Sequence, residues 1–377
     1  MKMIVFFEPR LNGHRLEYLH HEAVRASLVK TDKFVFIVPH EFNEVKNQFV
    51  WPCSPNISFI YISDIEAPQY YQSNPIKCSW CVSKILRKYA KDLRADCIFL
   101  NTLMDGMPFL PLMLPKHTKI SGILYGIYFW QKDEISKIKQ VYNRLVYYLL
   151  KYHHSFSKVL LLNDNETATR LNKECHNTRF VCLPDPITKI DNKKIVDIRK
   201  EYGISPEKTL YLQFPIAKRK HTIDILRAIE ETDTNLLKNK AFLFVGKLDD
   251  SIKEEFHKRI NKVVQKCQIV VVERRLTYEE LFNFCNTTDV LFTLYENHYM
   301  SSGVLGYSAY FNKYLISTGK GLLGNLVKSY KLGLCINDIT PHKIAEALKV
   351  TPSKCISNYA RSHTVEAFSD VVFNSFS

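Results

Sequence analysis

The sequence predicts an α/β protein built from two Rossmann-like halves in tandem, and three observations predict it. Short continuous apolar runs such as "KMIVFFEP" and "AFLFVGK" alternate with longer amphipathic stretches through both halves of the chain. Strands that are apolar on every residue belong to parallel sheets covered on both faces, with helices as the crossovers. The alternation is interrupted once, at "LPDPITKIDNKK", where two prolines and a charge run read as a linker. The chain has 377 residues, which at roughly 100–200 residues per domain suits two domains.

Taken in order, "KMIVFFEP" opens as a buried strand and "HRLEYLHHEAVRASLV" follows as a helix. "KFVFIVPH", "ISFIYISD", "DCIFLNT", "ISGILYGIY", "KVLLLND" and "TRFVCLP" are further strands. Helical patterns at "PIKCSWCVSKILRKYAKDL" and "DEISKIKQVYNRLVYYLLKY" separate several of them. After the linker the alternation resumes with "TLYLQFP", "AFLFVGK", "QIVVVER", "DVLFTLY", "YLIST" and "LGLCIND", and one or two helices close the chain. The expected division is 1–186, a linker at 187–205, 206–352, and a closing helix in 353–377. Ligands of such sheets bind at the carboxyl ends of the strands, and with two domains the cleft between them is the expected site.

Lysine and arginine total 52 against 38 aspartates and glutamates, a formal charge of +14. Residues 1–186 carry 24 basic and 17 acidic side chains, and the remainder 28 and 21, so both halves share the excess. A diffuse positive field suits nucleotides, phosphates or an anionic membrane face. Nucleic acid is not expected as a partner, because zinc-finger, basic-zipper and RNA-binding signatures are absent. The ten cysteines are scattered through apolar runs, as in a reducing compartment, and the pair Cys78 and Cys81 reads as packing on a helix. "MKMIVFFEPR" lacks a signal peptide's apolar core, and no run approaches the ~20 apolar residues of a membrane span. A cytoplasmic protein is expected.

Four stretches carry the candidate chemistry. In "FFEPRLNGHRLEYLHH", Gly13 permits a tight turn between strand and helix near His14, either as a plain connection or with the helix amides facing a ligand. In "LQFPIAKRKHTIDILRAIE", Lys218, Arg219, Lys220 and His221 precede a helix, although cations are disfavoured at the positive end of a helix dipole. They call for either a bound diphosphate or plain solvation. In "YENHYMSSGVLGYSAYFNKYLIST", Ser301, Ser302, Gly303 and Val304 stand where a helix begins, either as a simple serine cap or as a phosphate cradle. Asn297 and His298 are needed by neither cap nor helix. In "TGKGLLGNLVKSYKLGL", Gly319 and Gly321 form a turn at a strand's carboxyl end. Thr277 and Glu280 have capping-box spacing, and Arg274 stands at a strand end where a nucleotide base could lie. P-loop, H-E-x-x-H, D-x-D and G-x-S-x-G patterns are all absent. The adjacent pairs His20–His21 and His153–His154 are read as helical neighbours pointing apart.

Together these stretches resemble the GT-B glycosyltransferases, specifically the family 4 type of bacterial capsule and O-antigen polysaccharide clusters, over nearly the whole chain. "KRKHTIDILRAI" is similar to the family's R-K-G segment, with His221 in place of the glycine. "YENHYMSSGVLGYSAYFNKYLIST" with "GLLGNLVKSYKLGL" is similar to its donor-binding segment. The resemblance implies two Rossmann-like domains facing across a cleft, an acceptor site in the first and a nucleotide-sugar site in the second. It also implies a retaining, metal-independent sugar transfer with no cofactor beyond the donor. Arg219 and Lys220 would stabilise the departing diphosphate, with Gly13 and His14 bordering the sugar and Asp105 touching hydroxyls. Asn297, His298, Ser301, Ser302, Gly303, Val304, Tyr307 and Arg274 would line the donor. Tyr307 stands where the family carries its ribose-binding glutamate, and the partner glutamate falls near Tyr299 or Glu296. The alternative is a non-catalytic protein of the same fold that senses a nucleotide sugar. The implied acceptor is a glycan or lipid-linked glycan. Basic, tyrosine-rich segments at 77–94 and 134–154 are read as surface helices packing on the sheet, or as contacts with an anionic inner-membrane face. On the second, Ile135, Ile138, Val141, Leu145, Leu149 and Tyr152 set the helical stripe.

Overall fold

The computed structural model describes residues 1–11, 14–63, 65–66, 74–125, 136–187 and 196–376. Gly13, Ile135 and much of the expected linker lie outside the described residues. The chain divides into two compact units, Met1–Pro184 with Val365–Ser377, and Asp185–Thr364.

The first unit holds a seven-stranded parallel sheet in the order β3-β2-β1-β4-β5-β6-β7. Its strands are β1 (Met3–Phe7), β2 (Lys33–Val38), β3 (Ile57–Tyr61), β4 (Cys97–Leu100), β5 (Lys119–Leu124), β6 (Phe156–Leu162) and β7 (Phe180–Leu183). Alternation along each strand sends Phe6, Phe34, Phe36 and Phe99 to one face and Val5, Phe7, Val35 and Ile98 to the other, and both sets are buried. The rings of Phe6 and Phe36 stack with centroids 4.7 Å apart. The segment expected as a closing helix contains the helix Val365–Asn374, which belongs to this first unit. Phe368 and Phe376 there are buried on the phenylalanine face, each contributing about 1.5–3 kcal/mol by burial.

The second unit holds a six-stranded parallel sheet in the order β10-β9-β8-β11-β12-β13. Its strands are β8 (Thr209–Gln213), β9 (Lys240–Val245), β10 (Gln268–Val272), β11 (Val290–Thr293), β12 (Tyr314–Thr318) and β13 (Gly333–Ile336). In both sheets the chain first winds outward in one direction and then returns to the other side of its starting strand. The winding reverses between β1 and β4 and between β8 and β11, which is where open parallel sheets take ligands.

All ten cysteines are free thiols. The capping box expected at Thr277 and Glu280 is present. The pair His153–His154 differs from its expectation. The helix Lys137–Tyr152 ends before it, His153 takes an extended conformation, and the two rings stack at 4.6 Å.

Candidate active site

At the β8/β11 reversal the fold buries an amine. Lys218, Arg219 and Lys220 form a short 3-10 turn after β8, with Lys218 and Arg219 exposed and Lys220 only 4% exposed. Plain solvation therefore does not account for Lys220. Its ammonium hydrogen-bonds the hydroxyl of Tyr295, lies 3.6 Å from the centroid of that ring, and lies 5.9 Å from that of Phe214. Among the described residues no carboxylate pairs with it. Burial, and secondarily the charge of Arg219, holds its pKa well below the usual lysine range. An amine desolvated without an anion is under strong electrostatic pressure to acquire one.

Tyr295 ties this amine to the next loop. Its hydroxyl lies 2.7 Å from Ser302 Oγ, and Ser302 Oγ accepts the Val304 amide at 3.3 Å. The Glu296 amide donates to the Arg219 carbonyl at 3.1 Å, which fastens the loop after β11 to the turn after β8. The loop after β12 joins through glycine. Gly321 has φ +61°, and a Cβ there would lie 2.5 Å from the His298 carbonyl oxygen, which accepts the Leu323 amide at 3.2 Å.

Three helices therefore begin at the carboxyl edge of adjacent strands: Thr222–Glu231 after β8, Val304–Phe311 after β11 and Gly321–Ser329 after β12. None receives a hydrogen bond from its N-cap side chain. Elsewhere in this unit Thr277 and Thr340 cap their helices, and Asp249 caps the 3-10 turn that runs into Lys253–Val263. The serine-cap reading holds in a shifted form: the N-cap is Gly303, and Ser302 before it accepts the Val304 amide while also meeting the Tyr295 hydroxyl. Around one buried amine, the helix starts after β8 and β12, without N-cap side-chain bonds, offer amide donors to an anion, and all three starts offer positive dipole ends.

The other expected donor residues divide. Asn297 closes its own turn, its Oδ1 accepting the Tyr299 amide at 3.2 Å, and His298 packs on Gly321. Ser301 and Tyr307 are half-buried, and the Tyr307 ring meets Phe214 edge-on at 6.3 Å. Arg274 is spent structurally, because its guanidinium forks onto Glu280 at 2.5 and 3.0 Å. A cavity of about 480 Å³ in this unit, between Thr209, Asp289 and Lys313, lies at the opposite, amino edge of the sheet.

In the first unit, His14 is the N-cap of the helix Arg15–Leu28 and pairs with Glu17 at 3.2 Å. Asp105 lies in the turn after β4, with Arg10 Nη1 at 3.8 Å. Sequence reasoning passed over the groups beside it. Glu8 follows β1 directly and is fully buried, and Asn101 follows β4. Asn101 donates to buried Glu22 at 3.1 Å. Burial pushes the Glu8 carboxyl up to about 8, against the pull of Arg15. Among the described residues no three or more histidine, cysteine, aspartate or glutamate side chains come together as a metal site.

Two parallel-sheet domains of this kind, each Rossmann-like, are the components of the GT-B fold, and the chain has that fold. No family model and no curated protein sequence matches the chain. Among solved structures it is similar to sucrose-phosphate synthase from Thermosynechococcus elongatus, at TM-score 0.70 and 12% identity over 99% of this chain and 98% of that one. It is similar to an α,α-trehalose-phosphate synthase (UDP-forming) from Burkholderia xenovorans in complex with glucose-6-phosphate, at TM-score 0.70 and 12% identity over the whole of both chains. Anabaena HepE in complex with UDP and glucose matches at TM-score 0.67 and 12% identity over 100% and 99%.

Proposed function

We propose that the protein is a glycosyltransferase that moves a sugar from a nucleotide-sugar donor to a glycan acceptor, with retention and without a metal. The observation that carries this is the buried Lys220, with no carboxylate partner among the described residues, amid three helix starts. As the bond from the sugar's anomeric carbon to the diphosphate oxygen breaks, negative charge grows on the leaving group. Lys220 and the positive end of the helix that starts at Val304 are preorganised for that charge, in a setting where water cannot screen it. Arg219, exposed beside them, adds a forked donor to the diphosphate. UDP in one structural neighbour and a UDP-forming synthase as another agree with a nucleotide donor.

The test is a thermal-shift panel of UDP, GDP, dTDP and CMP sugars on wild type and Lys220→Met. One nucleotide class should stabilise the wild type by mass action and lose its effect in the variant. Equal stabilisation of both proteins refutes the diphosphate role. Tyr307, standing where the resembling family carries a carboxylate, favours the non-catalytic reading. Donor hydrolysis or transfer onto acceptors in a cell extract excludes that reading.

We further propose that the acceptor is met at an anionic membrane surface. No described helix is long and apolar enough to cross a membrane. The helix Lys137–Tyr152 instead exposes Ile138, Val141, Leu145, Tyr148 and Tyr152 in one stripe, while Val146, Tyr147 and Leu150 face the core. The helix thus packs on the core as a surface helix, with Leu149 of the expected stripe partly buried against it and the rest of the described stripe exposed. The helix has no acidic residue, and Lys137, Lys139 and Arg144 stand exposed beside the stripe. An apolar stripe flanked by cations suits a lipid interface. Flotation with phosphatidylglycerol vesicles should be salt-sensitive and lost in Val141→Asp/Leu145→Asp. Self-association without flotation would assign the stripe to a second copy instead.

A further inference from the structure

The amino edge of the second sheet carries a cavity of about 480 Å³ that the donor reading does not use. β8, β11 and β12 all begin at it, with Thr209, Asp289 and Lys313, and all end at the edge where Lys220 is buried. The two places are therefore at opposite ends of the same three strands. One wall of the cavity is the segment 351–354, which follows the helix Pro341–Leu348. Buried Cys355 anchors that wall, its amide donating to the Asn312 carbonyl at 3.4 Å and its thiol to the Leu332 carbonyl at 2.9 Å. The volume falls within the range of small-molecule sites, roughly 300–1,000 Å³.

Three lysines line the cavity, Lys208, Lys313 and Lys354, against the carboxylates of Glu207 and Asp289. Asp289 is already matched, because its Oδ2 accepts from Arg199 Nη2 and from the Leu210 amide, both at 2.7 Å. Lys208 donates to the neutral Gln268 Oε1 at 3.1 Å and so keeps its charge unpaired. Lys313 is half-buried, and among the described residues its ammonium has no ion pair and no hydrogen bond. Burial lowers its pKa against the pull of Asp289, and Arg199 and Lys354 stand near enough to push the same way. With Arg199 set against Asp289, three lysines face one carboxylate, Glu207. The helices Tyr278–Thr287 and Val304–Phe311 end at this edge, and their negative dipole ends together offset roughly one charge at most. A positive excess remains on formal charge alone.

We propose that this cavity is a second ligand site and takes a phosphate monoester of a small hydroxylated body, a sugar phosphate or a nucleoside monophosphate. The proposal goes beyond sugar transfer and does not rest on it. Lysines hold phosphate as point charges, whereas carboxylates are matched best by guanidinium forks, and among the described residues no arginine lines the cavity. A phosphate monoester carries about −1.5 to −2 charges at neutral pH, which answers the excess better than a single carboxylate does. Thr209, Asn312 and Ser353 offer hydroxyl and amide partners to the body, and Phe311 and Pro352 offer it an apolar wall.

Titration calorimetry of the full chain with glucose 6-phosphate, UMP, glucose, glucuronate and inorganic phosphate tests it. At least one of the two esters should bind more tightly than glucose, glucuronate or phosphate alone, and whichever binds identifies the body. Lys313→Gln and Lys354→Gln should each weaken that binding about tenfold. Lys220→Met should leave it unchanged while abolishing nucleotide-sugar binding, which separates failure here from failure of the donor reading. Lys354 is exposed, so its variant should fold even where Lys313→Gln does not. The proposal is overturned if neither ester binds more tightly than the three controls, or if a folded lysine variant binds as the wild type does. It is equally overturned if Lys220→Met abolishes ester binding, which would assign the ester to the donor edge.

Discussion

The two domains are built on one plan and bury opposite kinds of titratable group at the same topological place. At the β8/β11 reversal the fold buries an amine, Lys220, against aromatic rings. At the β1/β4 reversal it buries carboxyls, Glu8 and Glu22. Each is held away from its ordinary charged state by burial, the amine downward and the carboxyls upward. A parallel sheet thus fixes where a ligand sits, while the residues that end its first strand and begin its first crossover fix which groups it meets. The aromatic cage leaves Lys220 unmatched, whereas the two arginines partly match Glu8.

The largest expected effect is at the amine. Lys220→Met removes the buried charge but keeps much of the side chain's volume, so the second domain should become more stable, by about 1–2 kcal/mol in denaturant unfolding. Turnover of the nucleotide sugar should meanwhile fall about 10²–10³-fold. Opposite changes in stability and activity are what a functional buried charge produces. A parallel loss of both would make Lys220 a structural residue and would dissolve the contrast between the domains.

Next in size is pH. The Glu8 carboxyl moves from 4.5 to about 8 on folding, so the native state holds the extra proton between those values. That contribution is complete below pH 4.5 and is lost as pH rises through about 8. His21, lowered from 6.5 to about 4 by burial, acts oppositely, but its effect is complete above pH 6.5. Between pH 6.5 and 8 the first domain should therefore lose about 2 kcal/mol through Glu8 alone. Lys220 acts on the second domain with the opposite sign, adding stability as pH rises toward 10.5, because it releases its proton more readily when folded. The tryptophans, Trp51, Trp80 and Trp130, fall within the first unit's span, so their fluorescence follows that domain, while ellipticity follows both. Urea midpoints from the two signals should diverge as pH rises. Glu8→Gln should flatten the fluorescence trend alone, and a slope unchanged in that variant would remove Glu8 as its source.

Why the sequence revealed one of these clusters and hid the other follows from how each is encoded. Lys218, Arg219 and Lys220 are adjacent, and three cations before a helix are visible as an anomaly; that only Lys220 is buried depended on Tyr295, 75 residues away. Parallel strands were legible because burial on both faces makes every residue apolar. Glu8 reads locally as the polar end of a strand, "FFEP", and its partners lie on the following helix and beyond β4. No local pattern announces a contact that only strand order creates. The helix Lys137–Tyr152 packs on the core as a surface helix, but which face does so was hidden for a related reason. Its stripe of Ile138, Val141, Leu145, Leu149 and Tyr152 resembles a core face, yet of these only Leu149 packs on the core, beside Val146, Tyr147 and Leu150.

The smallest expected effect asks how firmly the loop after β11 is tied to the amine. Ser302 Oγ connects the Tyr295 hydroxyl to the Val304 amide. Ser302→Ala deletes both links and should cost about 1 kcal/mol of stability. Tyr295→Phe keeps the ring beside Lys220 but removes the hydroxyl, so it should cost a similar amount. If the hydroxyls act as one chain, the double variant should be little worse than either single one, because each substitution already breaks it. Full additivity in urea unfolding would mean that the serine and the tyrosine work separately. The loop would then be held chiefly by the Glu296 amide on the Arg219 carbonyl, a backbone bond that no side-chain change removes.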